Sequence, residues 1–255
     1  MVRPIVDQRY WDDLYDKEAA SHGRPPRVLA DWIKQHVPPG DGTCFEVGCF
    51  PGRFLSIFGD VGYELHGIDL APRTGTDPPR WLRASGYRVG TFERADFLAA
   101  QASSKYDIVC SFGFIEHFSN WRRVLEKSID LVKENGWLVI ETPNFRGAVQ
   151  MFLHLALDAE GLRRHNIGAI DPNAWSHLAR KAGFEIVHAG FLGGFDFWVS
   201  SDPTRTYQRM LLWVANRCKW RLARQKLRDS MLYSPFCGLI AKRTGSGSPA
   251  TEVGR

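Results

Sequence analysis

Apolar residues along the chain gather into short runs separated by stretches of mixed, helix-period character. Residues 43–47, 64–68, 106–111 and 137–141, with a weaker run near 87–92, read as strands, since apolar segments this short bounded by Gly, Pro and charged residues suit a sheet core. Helix-like stretches lie between them, the clearest being the amphipathic segment 121–133. Two further helices are predicted at 7–20 and 27–36, the second stopped by Pro38-Pro39-Gly40. Alternation of this kind predicts a parallel sheet with crossover helices on both faces. Beyond it come a helix at 173–182 closed by Gly183, a strand at 184–189 and a last strand at 236–241. One domain is expected over 1–244, with an N-terminal helical lid portion at 1–40 and a helical insertion at 200–232. The tail 245–255 is small and polar, has nothing to bury, and is expected to be disordered.

The first strand runs into Glu46-Val47-Gly48-Cys49-Phe50-Pro51-Gly52. In an open parallel sheet, ligands bind beyond the carboxyl ends of the strands where strand order reverses, normally after the first strand. Glycine lets backbone approach a ligand closely, and a helix start offers free N–H groups to an anionic group. The glycine spacing is G-x-x-x-G, which departs from the G-x-G-x-x-G of a dinucleotide site and counts against NAD. Asp69, 21 residues after Gly48, ends the second strand at a distance that suits a carboxylate on both ribose hydroxyls. Asp96-Phe97 follows the third strand, where a carboxyl and a ring can border a base.

EVGCFPG, the terminal Asp69, ADF, YDIVCSFGFIEHF and LVKENGWLVIETPN occur in this order across residues 40–190, and the chain thereby resembles the class I S-adenosylmethionine-dependent methyltransferases. The resemblance implies a Rossmann-like α/β fold with a mostly parallel seven-stranded sheet and an antiparallel last strand. By resemblance, Glu46, Gly48, Cys49, Phe50 and Gly52 would shape the pocket for the methionine portion of S-adenosylmethionine. Asp69 with Leu70 would hold the ribose, Asp96 and Phe97 would border adenine, and Ser111 and Phe112 would close the cofactor site. Phe50 stands where the family's motif has its middle glycine. Pro51 disfavours helical geometry at Phe50, so the ring is expected to turn away from the cofactor.

Methyl transfer needs an in-line nucleophile, and a hydroxyl acceptor gains from a nearby base. Glu116 and His117 follow the fourth strand; His117 is the candidate base, and the competing reading makes the pair a brace for the pocket wall. Asn144, ending the fifth strand, and His165, in a loop, are candidate substrate contacts, although Asn144 can equally close a turn. Tyr10 and Trp11 can belong to a lid, or can anchor their helix to the core. The expected acceptor is an oxygen of a saccharide, a lipid-linked saccharide or a natural-product intermediate. The alternatives are N- or C-methylation of a metabolite, or a non-catalytic nucleoside-binding protein of the same fold.

Charge adds one feature. The net charge is +5, yet eight Lys/Arg and no acidic residue lie between Arg205 and Arg228. Tyr207, Leu211, Val214, Cys218 and Leu222 recur there at helical spacing, predicting a basic amphipathic helix. It is expected to cap the substrate pocket, with anionic lipid surface as a second partner; no appended RNA-binding module is visible, and no nucleic-acid partner is expected. Five cysteines without a C-x-x-C pair argue against a disulfide framework or a zinc site, so no metal is expected. The N-terminus lacks a signal-peptide core, and the longest apolar run, near 148–157, is about half a membrane span, so a cytoplasmic protein is expected.

Overall fold

The computed structural model describes residues 4–18, 23–101, 104–199, 204–222, 225 and 227–245. The tail expected to be disordered at 245–255 lies outside these residues apart from Gly245, as do parts of the expected lid and helical insertion. Elements follow in the order α1 (Gln8–Glu18), α2 (Arg27–His36), β1 (Thr43–Val47), α3 (Leu55–Gly59), β2 (Glu64–Asp69), α4 (Asp77–Ala84), β3 (Val89–Arg94), β4 (Tyr106–Phe112), α5 (Trp121–Asp130) and β5 (Val132–Pro143). After them come α6 (Ala148–Leu157), α7 (Ala159–Arg163), α8 (Pro172–Lys181), β6 (Phe184–Leu192), α9 (Thr206–Leu222) and β7 (Phe236–Arg243).

The seven strands form one sheet in the order β3-β2-β1-β4-β5-β7-β6. The first five are parallel, and β7 runs antiparallel to both β5 and β6. The sheet is mostly parallel with an antiparallel last strand, as expected. Strand alternation sends side chains to two separate cores. Val109 of β4 and Leu138 and Ile140 of β5 pack with Trp121, Leu125 and Trp175 of α5 and α8. Ile108 and Cys110 of β4 and Val139 of β5 pack on the other face with Leu29, Ile33, Leu55 and Phe58 of α2 and α3. At the amino edge, Asp107 Oδ2 accepts from Thr43 N and Oγ1 and from Lys133 Nζ, all at 2.8 Å, tying β1, β4 and β5 together. The opposite, carboxyl edge is left for the site.

Two boundaries differ from expectation for local reasons. The amphipathic segment stops at Asp130, and β5 starts at Val132 because Tyr106 of β4 pairs with it; Asn135 then turns at φ 61° before Gly136. Helix α8 starts one residue early, with Pro172 in its first turn and Asp171 Oδ1 accepting from Asn173 N and Ala174 N. It stops at Gly183, φ 81°, as the sequence indicates.

Candidate active site

Strand order reverses between β1 and its neighbours β2 and β4, and a cavity of about 920 Å³ opens there along the carboxyl edge. The loop after β1 is pinned from below. Gly48 N and Cys49 N both donate to Ile68 O, at 2.9 and 3.2 Å. Asp69 Oδ2 accepts from Phe50 N at 3.0 Å, and its Oδ1 accepts from Ala71 N at 2.8 Å. Gly48 sits at φ 74°, and a Cβ there would stand 2.3 Å from the Phe114 ring, so only glycine fits. Asp69 remains part of the cavity wall, and its carboxylate keeps lone-pair capacity for a hydroxyl donor.

The expectation that the Phe50 ring turns away is overturned. Phe50 is buried in the cavity wall, its ring centroid 4.8 Å from that of Tyr15, and the Arg73 guanidinium lies 5.7 Å from it. A buried ring here gives α1 something to pack on, and Trp11, Leu14 and Tyr15 of α1 join the same wall. Trp11 meets His117 edge-on at 4.8 Å, so the N-terminal helix does border the cavity. Tyr10 lies outside the wall, under the Arg164 guanidinium at 4.0 Å.

Several predicted cofactor residues do line the cavity: Gly48, Leu70, Asp96, Phe97 and Phe112. Asp96 uses Oδ1 to accept from Leu98 N at 2.8 Å. Cys49, Ser111 and Glu46 do not; they lie beneath the loop and strand ends. The Cys49 thiol fills the space over Gly67, where an added Cβ would come within 2.5 Å of Sγ, and burial raises its pKa well above normal. Gly52, at φ 93°, likewise acts through backbone shape, with Pro78 3.0 Å from where its Cβ would be.

Sequence reading missed Glu141 and Arg53, both in the wall. A lone carboxylate ending the apolar β5 run was the available signal for Glu141. Glu46 Oε2, Glu141 Oε1 and Arg53 Nε are buried without hydrogen-bond partners. Burial is the main cause raising both carboxyls well above their usual range; Asp69 adds to this at Glu46, Glu116 adds to it at Glu141, and Arg53 opposes it at both. Arg53 and Glu141, orphaned groups of opposite sign in the wall with Glu46 buried beneath the loop, fit a zwitterion such as the amino-acid end of S-adenosylmethionine.

A 3-10 turn, Ile115–His117, follows β4. His117 Nδ1 donates to Arg164 O at 2.9 Å, which leaves Nε2 as the acceptor nitrogen of the neutral ring. Burial lowers its pKa to about 4, with the Arg164 and Gly113 carbonyls pulling the other way. Glu116 Oε1 lies 4.0 Å from His117 Nε2; the residue is fully buried with neither oxygen bonded, and burial pushes its pKa up to about 8. Glu116, His117 and His165 each place one donor atom within 4.8 Å of the others, the one such group of metal-ligand type among the described residues.

The family model described as Methyltransferase domain matches residues 16–189. The chain is a class I S-adenosylmethionine-dependent methyltransferase. The methyltransferase is 28% identical over 157 residues to the ubiquinone biosynthesis O-methyltransferase of Paraburkholderia phytofirmans, covering 61% of this chain and 66% of that one. It is 26% identical over 213 residues to the enzyme of that name from Paraburkholderia phymatum, covering 78% and 89%. Its fold is similar to a SAM-dependent methyltransferase from Archaeoglobus fulgidus, with TM-score 0.54, 19% identity and coverage of 92% and 100%. It is similar also to magnesium protoporphyrin IX methyltransferase from Synechocystis with bound SAH, with TM-score 0.55, 12% identity and coverage of 94% and 100%.

Both proposed substrate contacts of the methyltransferase are corrected by their packing. Asn144 is fully buried, and its Nδ2 donates to Met231 O and Ser234 O, both at 2.9 Å, bracing the chain that enters β7. His165 sits behind His117 with ring centroids 4.6 Å apart, packs 4.4 Å from Phe145, and bonds Gly161 O through Nδ1 at 2.8 Å. Neither reaches the cavity wall. Helix α9 does, through Lys219, which pairs with Asp196 and donates to Phe197 O at 3.1 Å.

Three outcomes follow from this geometry. Phe50→Ala should loosen α1, raising the rate of limited proteolysis between residues 8 and 18 while leaving the far edge of the sheet intact. Asn144→Ala should lower stability by about 1–3 kcal/mol through its stranded carbonyls, read by denaturant unfolding, without changing cofactor affinity. The third concerns pH in the cofactor-free protein. Glu116 has its folded pKa raised to about 8, so the stability tied to it is fully present below its unfolded pKa and is lost as pH rises through about 8. His117 has its folded pKa lowered to about 4, so its part is present above its unfolded pKa and is lost as pH falls toward 4. Glu116→Gln should therefore gain stability relative to the parent as pH rises from about 5 to 8, by more than the 1.4 kcal/mol or so of one pKa unit.

Proposed function

We propose that this methyltransferase transfers the methyl group to a hydroxyl oxygen of an apolar, ring-bearing acceptor. The observation that carries the reading is the cavity wall away from the glycine loop: Trp11, Phe118, Phe197, Trp198 and Phe236 line it, with His117 among them. Aromatic walls with few convergent polar groups suit an aromatic or isoprenoid body carrying one reacting hydroxyl. A saccharide would want several polar side chains around its hydroxyls, and this wall supports it less. The relatives named for O-methyl transfer in ubiquinone biosynthesis support oxygen over nitrogen or carbon.

S-adenosylmethionine, when bound, supplies an electrophilic methyl on a sulfonium. Arg53 would face its carboxylate, Glu141 its ammonium, Asp69 its ribose and Phe97 its base, with Glu46 supporting the loop from beneath. His117 is neutral above about pH 4, and its anchored Nδ1 leaves Nε2 to accept a hydrogen bond, and then the proton, from the acceptor hydroxyl. Glu116 Oε1 lies 4.0 Å from Nε2, and burial holds that carboxyl toward its protonated form, which disfavours a competing anion beside the transfer nitrogen. The edge of Trp11 and the neighbouring His165 ring fix the imidazole plane and keep water from its faces.

Titration calorimetry with S-adenosylhomocysteine, with NAD as control, should show binding of the nucleoside alone. Asp69→Ala should weaken that binding at least about tenfold, since each hydrogen bond to a charged group is worth about 1.5–3 kcal/mol; equal affinity would remove the ribose assignment. His117→Ala should keep S-adenosylhomocysteine affinity and slow transfer by about 10²–10⁴. Across a panel of phenols, hydroquinones, sugars and amines, methylated phenols or hydroquinones are expected; turnover of sugars or amines alone would overturn the acceptor reading.

A further inference from the structure

No residue of helix α9 is buried, and its outward face has a definite chemistry. The apolar stripe read from sequence, Tyr207-Leu211-Val214-Cys218-Leu222, is only partly the packed one. Leu211, Leu212 and Ala215 face inward against Val149, Leu153 and Ala156 of α6, and Tyr207 and Val214 are exposed. The packing lies partway round the helix from the predicted stripe because Lys219 is drawn in to Asp196. The opposite face then carries Met210, Trp213, Arg217 and Trp220, spaced by three or four residues and so collinear on the helix. Met210, Trp213 and Trp220 are 65, 64 and 58% exposed, and Arg209, Arg217 and Arg221 flank them. No acidic residue occurs anywhere in α9.

Beside it, Phe152 and Leu155 of α6 are each 59% exposed. An apolar groove of about 350 Å³ runs between the two helices, lined by Phe152, Val214 and Cys218 among others. Exposed indoles and a thioether interleaved with guanidinium groups suit the boundary between acyl chains and headgroups, where Trp settles and Arg reaches anionic phosphate. No helix among the described residues is long and apolar enough to cross a membrane, so contact would lie along the surface.

We propose that the outer face of α6 and α9 docks onto a bilayer containing anionic lipid. Charge complementarity names the partner: a cationic helix without acidic side chains, beside exposed Phe152 and Leu155 and an apolar groove. RNA could use the arginines and aromatic rings, but it offers nothing to Leu155 and the apolar groove. Because Lys219 brings the inner side of α9 to the cavity wall, docking places the cavity next to the lipid surface. The proposal does not rest on the acceptor assigned above.

The test is flotation of the full chain with vesicles of phosphatidylcholine alone or containing about one third phosphatidylglycerol. Binding is expected only to the anionic vesicles, falling as salt rises. Trp213→Ala/Trp220→Ala and Arg217→Gln/Arg221→Gln should each reduce the partition coefficient about tenfold or more. S-adenosylhomocysteine affinity, measured in parallel, should stay at the parent value in both, which separates lost docking from misfolding or a failed cofactor assignment. Absence of binding to anionic vesicles, equal binding by folded variants, or retention on single-stranded RNA in place of vesicles would each overturn the proposal.

Discussion

The clamp that Asp69 makes on the loop after β1 is the constraint on which the site depends. Its two oxygens collect backbone donors from Phe50 and Ala71, while Ile68 O takes two more from Gly48 and Cys49. Four hydrogen bonds hold the loop against the end of β2, and with the loop set, Gly48 can lie against Phe114 with no room for a side chain. Burial raises the Asp69 pKa and the backbone donors pull it back, so the residue that shapes the loop is also chemically poised to accept from a ligand.

Around that clamp the protein buries several ionisable groups. Glu46, Glu116 and Glu141 are held toward their protonated forms, and His117 and His165 toward their neutral forms. Each choice follows from desolvation, the largest cause in every case. Without a ligand these buried groups are thus held toward uncharged forms, and their orphaned atoms lower stability. A zwitterionic partner would restore charge and hydrogen bonds there together, so binding and protonation should be coupled.

Two elements outside the parallel core border the cavity, and each is attached by few side chains. Helix α1 reaches it by Trp11, Leu14 and Tyr15 against Phe50 and His117. Helix α9 reaches it by Lys219, and its own packing on α6 uses small and aliphatic residues. Elements held this lightly can admit ligands without disturbing the sheet.

Periodicity and order carried much of the reading. The strand runs, the glycine loop, Asp69 at the end of β2 and Asp96-Phe97 after β3 were visible in one dimension because a parallel sheet writes its core as short apolar runs and its ligand edge just beyond them. Side-chain direction was not visible. Whether Phe50 faced in or out depended on α1, more than thirty residues away in sequence. Asn144 and His165 had plausible chemistry at plausible places, yet Asn144 was claimed by carbonyls near β7 and His165 by Gly161 O and Phe145. Glu141 and Arg53 were passed over because one charged residue beside an apolar run acquires meaning only when its neighbours in space leave it unpaired. Sequence alone determined the sheet, the loop and the family resemblance, since these follow from local spacing and hydrophobic alternation. Tertiary structure decided which polar atoms remained free to act, since that depends on which distant groups reach them first.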